Sequence, residues 1–207
     1  MNANHKQTLL MLSFTAIFIG YLTVWLPGPG AGLSFLGIEM GEWFKFLGLG
    51  ARRDLFYLPP ITLSLMLAIW TITWTRQGWQ AWLMRIIAVL ISLLAFPAIE
   101  AIRFEAVSEW RPRLLLIGGV ALVAVLSGLA ERWTPPNWLS WLVLAIVGVV
   151  GAVFPFWVYL QVRPLVTLAV GLPVGIGPGV WLNGIGHLGV TAVSILRLQG
   201  LIKKEAE

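Results

Sequence analysis

"TLLMLSFTAIFIGYLTVWL", residues 8–26, runs for 19 residues without a charge. An α-helix rises 1.5 Å per residue, so this stretch reaches roughly 30 Å, the thickness of a bilayer's hydrocarbon core. It begins just after His5 and Lys6. The apolar core of a cleaved secretory signal is shorter, about 7 to 15 residues, so the run reads as a retained transmembrane helix.

The rest of the chain repeats the theme. Of 207 residues, 58% are hydrophobic and 11% charged, with a mean hydropathy of +0.86. A soluble domain carries roughly 25% charged residues and could not hide this much apolar surface, so lipid is the solvent for most of the chain. Further apolar runs occupy 57–75, 82–99, 113–130, 139–160 and 178–199. Helix punctuation separates them: "LPGPGAG" after the first, Pro59 and Pro60 opening the second, Arg111-Pro112 before the fourth and "TPPNW" before the fifth. The expected fold is all-α, a polytopic bundle of six transmembrane helices in one domain, residues 1–207. Pro97 near the end of the third span and Pro155 inside the fifth each remove a backbone donor and invite a kink.

Two segments fall outside the simple spans. Residues 34–49, "SFLGIEMGEWFKFLGL", place Glu39, Glu42 and Lys45 at steps of three among bulky apolar residues. This predicts an interfacial helix with a narrow polar strip toward water, capped by Ser34. The apolar stretch between Arg163 and Arg197 is too long for one span and too short for two. Its Pro and Gly cluster from Pro173 to Gly179 predicts a broken or re-entrant piece over 164–177 before the last span.

The net charge is +5, but the basic residues stand singly between apolar runs, without the stripe that nucleic acid would need. Lipid headgroups are the expected ionic partner, and nucleic acid is not. With six spans, Lys6, Arg76, Arg85, Arg132, Arg197, Lys203 and Lys204 fall on one side and the other seven Lys and Arg on the opposite side. The tie leaves the first span and the terminal Lys203-Lys204 pair to favour both termini in the cytoplasm of a cell carrying this protein in its plasma membrane. The absence of cysteine removes disulfides, thiolate metal sites and iron–sulfur ligation. The sequence has no HExxH, phosphate loop or GxSxG elbow, and no cofactor or metal is expected.

Polar residues near the membrane supply the candidate sites. Glu100 leads a charged stretch with Arg103, Glu105, Glu109, Arg111 and Arg113, which reads as an exposed loop unless Glu100 is buried and exchanges a proton. In "GIGPGVWLNGIGHLGV", residues 175–190, Gly175, Gly179 and Gly186 form a small-residue packing stripe with Asn183 and His187 one turn apart. Neutral hydrogen bonds to another helix account for that pair, and a proton or substrate contact is the rival. His5 is the only other histidine, which argues against a metal. The leading expectation is a non-catalytic accessory or scaffold protein that associates with other membrane subunits or with itself. The alternative is a small permease with a site between the 164–179 segment, Glu100, Asn183 and His187.

Overall fold

A computed structural model describes residues 3–28, 34–74, 78–129 and 136–206. Part of "LPGPGAG" and of "TPPNW", together with Arg76 and Arg132 from the charge comparison, lies outside them. The described chain is all-helical apart from one small hairpin. α1 (Ala3–Leu22) leads to β1 (Val24–Leu26), which pairs antiparallel with β2 (Phe35–Leu36). Then come α2 (Gly37–Trp43), 3-10 turns over Phe44–Leu47 and Gly50–Tyr57, α3 (Leu58–Ile72) and α4 (Trp79–Ser92). A 3-10 turn over Leu93–Ala95 precedes α5 (Ile99–Phe104), α6 (Val107–Leu129), α7 (Asn137–Val170) and α8 (Pro178–Ala206).

Four helical stretches are long and apolar enough to cross a bilayer: Gly50–Ile72, Val107–Leu129, Asn137–Val170 and Pro178–Ile202. Trp79–Ala95 is apolar but shorter. The outward faces agree with a lipid solvent. Leu83, Ile86 and Leu90 of α4 and Leu115, Leu122 and Leu126 of α6 are exposed. Exposed apolar side chains of this kind suit a face turned to lipid.

Proline chemistry sets several ends. Pro59 and Pro60 occupy the first turn of α3, where their missing N–H groups have no helical partner to lose. Phe96 is extended ahead of Pro97, so the third apolar run stops being helical at Ala95 instead of kinking through the proline. The fourth helix starts at Val107, earlier than Arg111-Pro112 suggests, with Pro112 accommodated near its start. α7 passes through both Pro155 and Pro164 and runs 34 residues, about 50 Å. Of the broken piece expected over 164–177, the first part continues α7, and the chain leaves the helix at Gly171, whose φ of 72° ends it in the left-handed conformation.

The non-helical backbone after Gly171 is satisfied by its neighbours. Arg163 Nε donates to the Val174 carbonyl at 2.7 Å, Tyr159 donates to the Gly175 carbonyl at 2.9 Å, and Gly177 N donates to the Trp25 carbonyl at 2.8 Å. Irregular backbone persists at depth in a membrane protein only under such conditions.

The expected 34–49 helix is shorter and broken. Phe35 and Leu36 belong to the hairpin, α2 ends at Trp43, and Gly48 adopts a φ of 68°. Ser34 does not cap it; its Oγ accepts from Gly28 N across the hairpin, and the Glu39 carboxylate accepts from Leu36 N at 2.9 Å instead.

α3 is the central post, with nearly every side chain from Pro59 to Thr71 buried and with α1, α4, α6 and α7 packed around it. α1 lies along α8 and α8 along α7. The helices alternate in direction. Lys6 of α1, Trp74 after α3, Gln80 of α4, Trp141 of α7 and Arg197 of α8 all border one cavity at the rim that carries both termini. The hairpin, α2 and α5 close the opposite rim. There Trp25, Phe44, Phe56 and Tyr159 form an apolar cluster with Trp25 edge-on to Phe56 and Tyr159, at 6.1 and 6.2 Å between ring centroids. Trp25 is thus a core residue, whereas Trp79 and Trp181 are exposed as belt tryptophans are.

Candidate functional site

Asn183 and His187 sit in the first third of α8 and face inward, Asn183 2% and His187 0% exposed. His187 Nδ1 is 2.9 Å from the Asn183 carbonyl oxygen, and Nε2 is 2.8 Å from Thr62 Oγ1 on α3. A carbonyl only accepts, so Nδ1 carries the hydrogen. In the neutral ring Nε2 then accepts from the Thr62 hydroxyl, which also lies 2.8 Å from the Leu58 carbonyl. The imidazole is seated against Gly151 of α7, where an added methyl would meet its Nε2 and Cδ2. Three helices, α3, α7 and α8, are thereby joined through one ring.

The glycines of the same helix bring α8 onto α1. A Cβ on Gly179 would lie 2.6 Å from the Gly20 carbonyl oxygen, and one on Gly186 would lie 2.7 Å from the Ser13 carbonyl oxygen. Both positions are closed to any side chain by neighbouring backbone. Gly175 differs: its nearest neighbour would be Pro27 Cγ at an ordinary 3.5 Å, and its part is to supply the carbonyl that Tyr159 binds. Asn183 backbone lies under Gly20, and its side-chain Oδ1 is buried without a hydrogen-bond partner.

Glu100 does not join this group. It lies exposed in the first turn of α5, which packs on α6. The cavity bordered by Lys6 and Arg197 and the one bordered by Arg53 and Glu105 lie at the two rims, and neither is lined by Asn183 or His187.

What sequence reasoning left on the surface, the fold brings inside. Arg113 is 1% exposed, although it ends a stretch that reads as a charged loop. Its Nη1 donates to Glu42 Oε1 at 2.6 Å, its guanidinium lies 4.1 Å from the Tyr57 ring centroid, and Asp54 is 3.9 Å from its Nε. Tyr57 donates to the same Glu42 oxygen at 2.8 Å. Glu42 therefore points into the protein and not along a water-facing strip. Burial alone would raise its carboxyl, but the hydrogen bonds from Arg113 and Tyr57 and the charges of Arg113 and Arg53 outweigh burial and hold it below the ordinary 4.5. Nearby, buried Arg53 pairs with Glu109 at 2.5 Å and Lys45 with Glu105 at 3.0 Å. These pairs tie α2 and the two 3-10 turns that follow it to α6 and to the residue after α5.

A third buried arginine, Arg85, lies between α3, α4 and α6. Its Nε is 3.1 Å from Thr71 Oγ1 and 2.9 Å from Ser127 Oγ, and Nη2 donates to the Ser127 carbonyl at 3.0 Å. Its position inside "QAWLMRIIAVLIS" was the available signal, because an arginine within an apolar run seeks partners on neighbouring helices. Among the described residues, no group of three or more His, Asp or Glu side chains is placed to hold a metal ion. No family profile, curated protein or solved structure matches this chain.

Proposed function

We propose that the chain is a non-catalytic integral membrane protein, an accessory or scaffold component of a membrane assembly. In this reading α1, α3, α4, α6, α7 and α8 are six spans, with both termini on the cytoplasmic side of a cell membrane. α1 has 20 residues, about 30 Å, and its charged first turn would sit at the headgroups.

One observation carries the reading. The His187 side chain is used inside the bundle, its ring bonded to Thr62 and to its own helix and seated against Gly151. A carrier needs a polar passage at that depth. The apolar faces of α4 and α6 are where another transmembrane helix would lie.

The chain has no cysteine, so single cysteines bearing a photo-crosslinker can be placed cleanly, at Leu122 of α6 and at Leu188 of α8, both exposed. A protein adduct of one mass from only one face, in native membranes, is the expected result. Lipid adducts alone from both faces would overturn it. The permease reading rests on the unpartnered Asn183 Oδ1 and on the non-helical 171–177 segment that precedes α8. Solute flux in proteoliposomes that Asn183→Leu abolishes, with unchanged unfolding, would establish it.

A further inference from the structure

At the rim carrying the termini, a cavity of about 460 Å³ opens between α1, α3, α4, α7 and α8. This falls within the roughly 300–1,000 Å³ typical of small-ligand sites. A second cavity of about 310 Å³ adjoins it and shares Lys6, Thr73, Trp141 and Arg197. Two cations from opposite ends of the chain converge here. Lys6 Nζ donates to the Leu196 carbonyl at 3.2 Å, which holds the ammonium one residue from Arg197. The Arg197 guanidinium lies 5.7 Å from the Trp141 ring centroid.

The remaining lining suits an anion with an apolar tail. Gln7, Gln80 and Asn137 add amide donors. Trp70 and Trp74, edge-to-face at 5.0 Å, with Leu10 and Val193, form the apolar side. Lys6 stands near the start of α1 and Arg197 near the end of the apolar run 178–199, where the chain meets the headgroup layer and its anionic phosphates.

We propose that this cavity is a binding site for a phosphate-bearing anion, the phosphate held between Lys6 and Arg197 and the adjoining carbon chain laid against Trp70 and Trp74. A phospholipid headgroup and a free phosphate ester share this chemistry. The site stands independently of whether the protein is a scaffold or a carrier.

The test uses the full chain in neutral detergent, with native mass spectrometry reading bound ligand. The probes are phosphatidylglycerol, phosphatidylcholine and glycerol 3-phosphate. The wild type should retain phosphatidylglycerol in preference to phosphatidylcholine. Lys6→Gln and Arg197→Gln should each lower that preference about fivefold, as loss of one charge near a membrane surface implies. Lys45→Gln, at the opposite rim, should leave it unchanged. Competition by glycerol 3-phosphate identifies the phosphate ester itself as sufficient, while retention of the lipid without competition identifies the acyl-bearing ligand; both support the site. Equal retention of the two lipids by the wild type would overturn the proposal, as would an equal loss in Lys45→Gln. Should Arg197→Gln unfold because the contact with Trp141 is lost, Lys6→Gln, checked by thermal unfolding, decides instead. Undiminished preference in a folded Lys6→Gln protein would likewise overturn it.

Discussion

Arg113 of α6 and Glu42 of α2 meet at 2.6 Å although 71 positions separate them, and the arginine is 1% exposed while the glutamate side chain keeps 36% of its surface. The pair fixes the interfacial cap to the bundle. Tyr57 strengthens it from both sides, giving its ring face to the guanidinium and its hydroxyl to the carboxylate. Removing either charge leaves the other with a partner missing, so the two residues should not act independently. Arg113→Met, Glu42→Gln and the double variant form a cycle in which the double variant loses about 1–2 kcal/mol less than the sum of the singles. The partial exposure of Glu42 keeps that coupling below the value for a fully buried pair. Thermal or denaturant unfolding in detergent measures it, and strict additivity would contradict the linkage.

The same carboxylate gives the protein an acid-side dependence with a definite sign. Glu42 has a lower pKa in the folded protein than the ordinary 4.5 of an unfolded chain. Its contribution is therefore fully present above about pH 4.5 and is lost as the pH falls through the lowered folded value. Glu42→Gln removes this dependence, since an amide does not titrate. The difference in Tm between wild type and Glu42→Gln should be constant from neutral pH down to about pH 5 and should narrow below 4.5. A difference that widens on acidification would reverse the assignment.

Glycines along α8 look alike in sequence and differ sharply in space. Gly179 presses on α1, where an added methyl would sit 2.5 Å from Trp25 Cδ1 and 2.6 Å from the Gly20 carbonyl oxygen. Gly184, five residues on, would meet nothing within 4 Å. Gly179→Ala should destabilise by about 1–3 kcal/mol, because backbone on the facing helix must move. Gly184→Ala should be neutral or stabilising by up to about 1 kcal/mol, because alanine is the better helix former. Unfolding of the two variants side by side tests the contrast, and equal effects would refute the close approach of α1 and α8.

The contrast also marks how far the sequence could be read. Length, apolar runs and Pro59-Pro60 or Pro178 locate the helices, since these depend on local backbone chemistry. Asn183 and His187 were recognisable as inward because a polar pair one turn apart avoids lipid. Their partner Thr62 lies 125 positions from His187 and has no local signature. Arg113 was hidden for a related reason. Its neighbours in sequence are charges that suggest a solvated loop, whereas its partners Glu42, Asp54 and Tyr57 come from a different part of the chain. Pro164 reads as the start of a broken piece, whereas the helix continues through it. Packing against α3 and α8 carries α7 through Pro155 and Pro164, and only the left-handed turn at Gly171 ends it.

The seat of the imidazole can be tested by exchanging volume between its two walls. Gly151 faces His187 so closely that a methyl there would meet Nε2 and Cδ2 of the ring and would lie 2.6 Å from Thr62 Oγ1. The ring cannot turn away without losing both the Thr62 and the Asn183 hydrogen bonds. Gly151→Ala should therefore cost about 1–3 kcal/mol in the wild-type background. In a His187→Ala background the ring is gone and the Thr62 hydroxyl is released to donate to the Leu58 carbonyl, so the same methyl fills part of the vacated space. There Gly151→Ala should cost less than in the wild-type background, the approach to Thr62 Oγ1 accounting for the penalty that remains. Tm values of the four proteins measure this directly. An unchanged penalty for Gly151→Ala in both backgrounds would mean that α7 does not press on His187, and the closed core on which the scaffold reading depends would have to be abandoned.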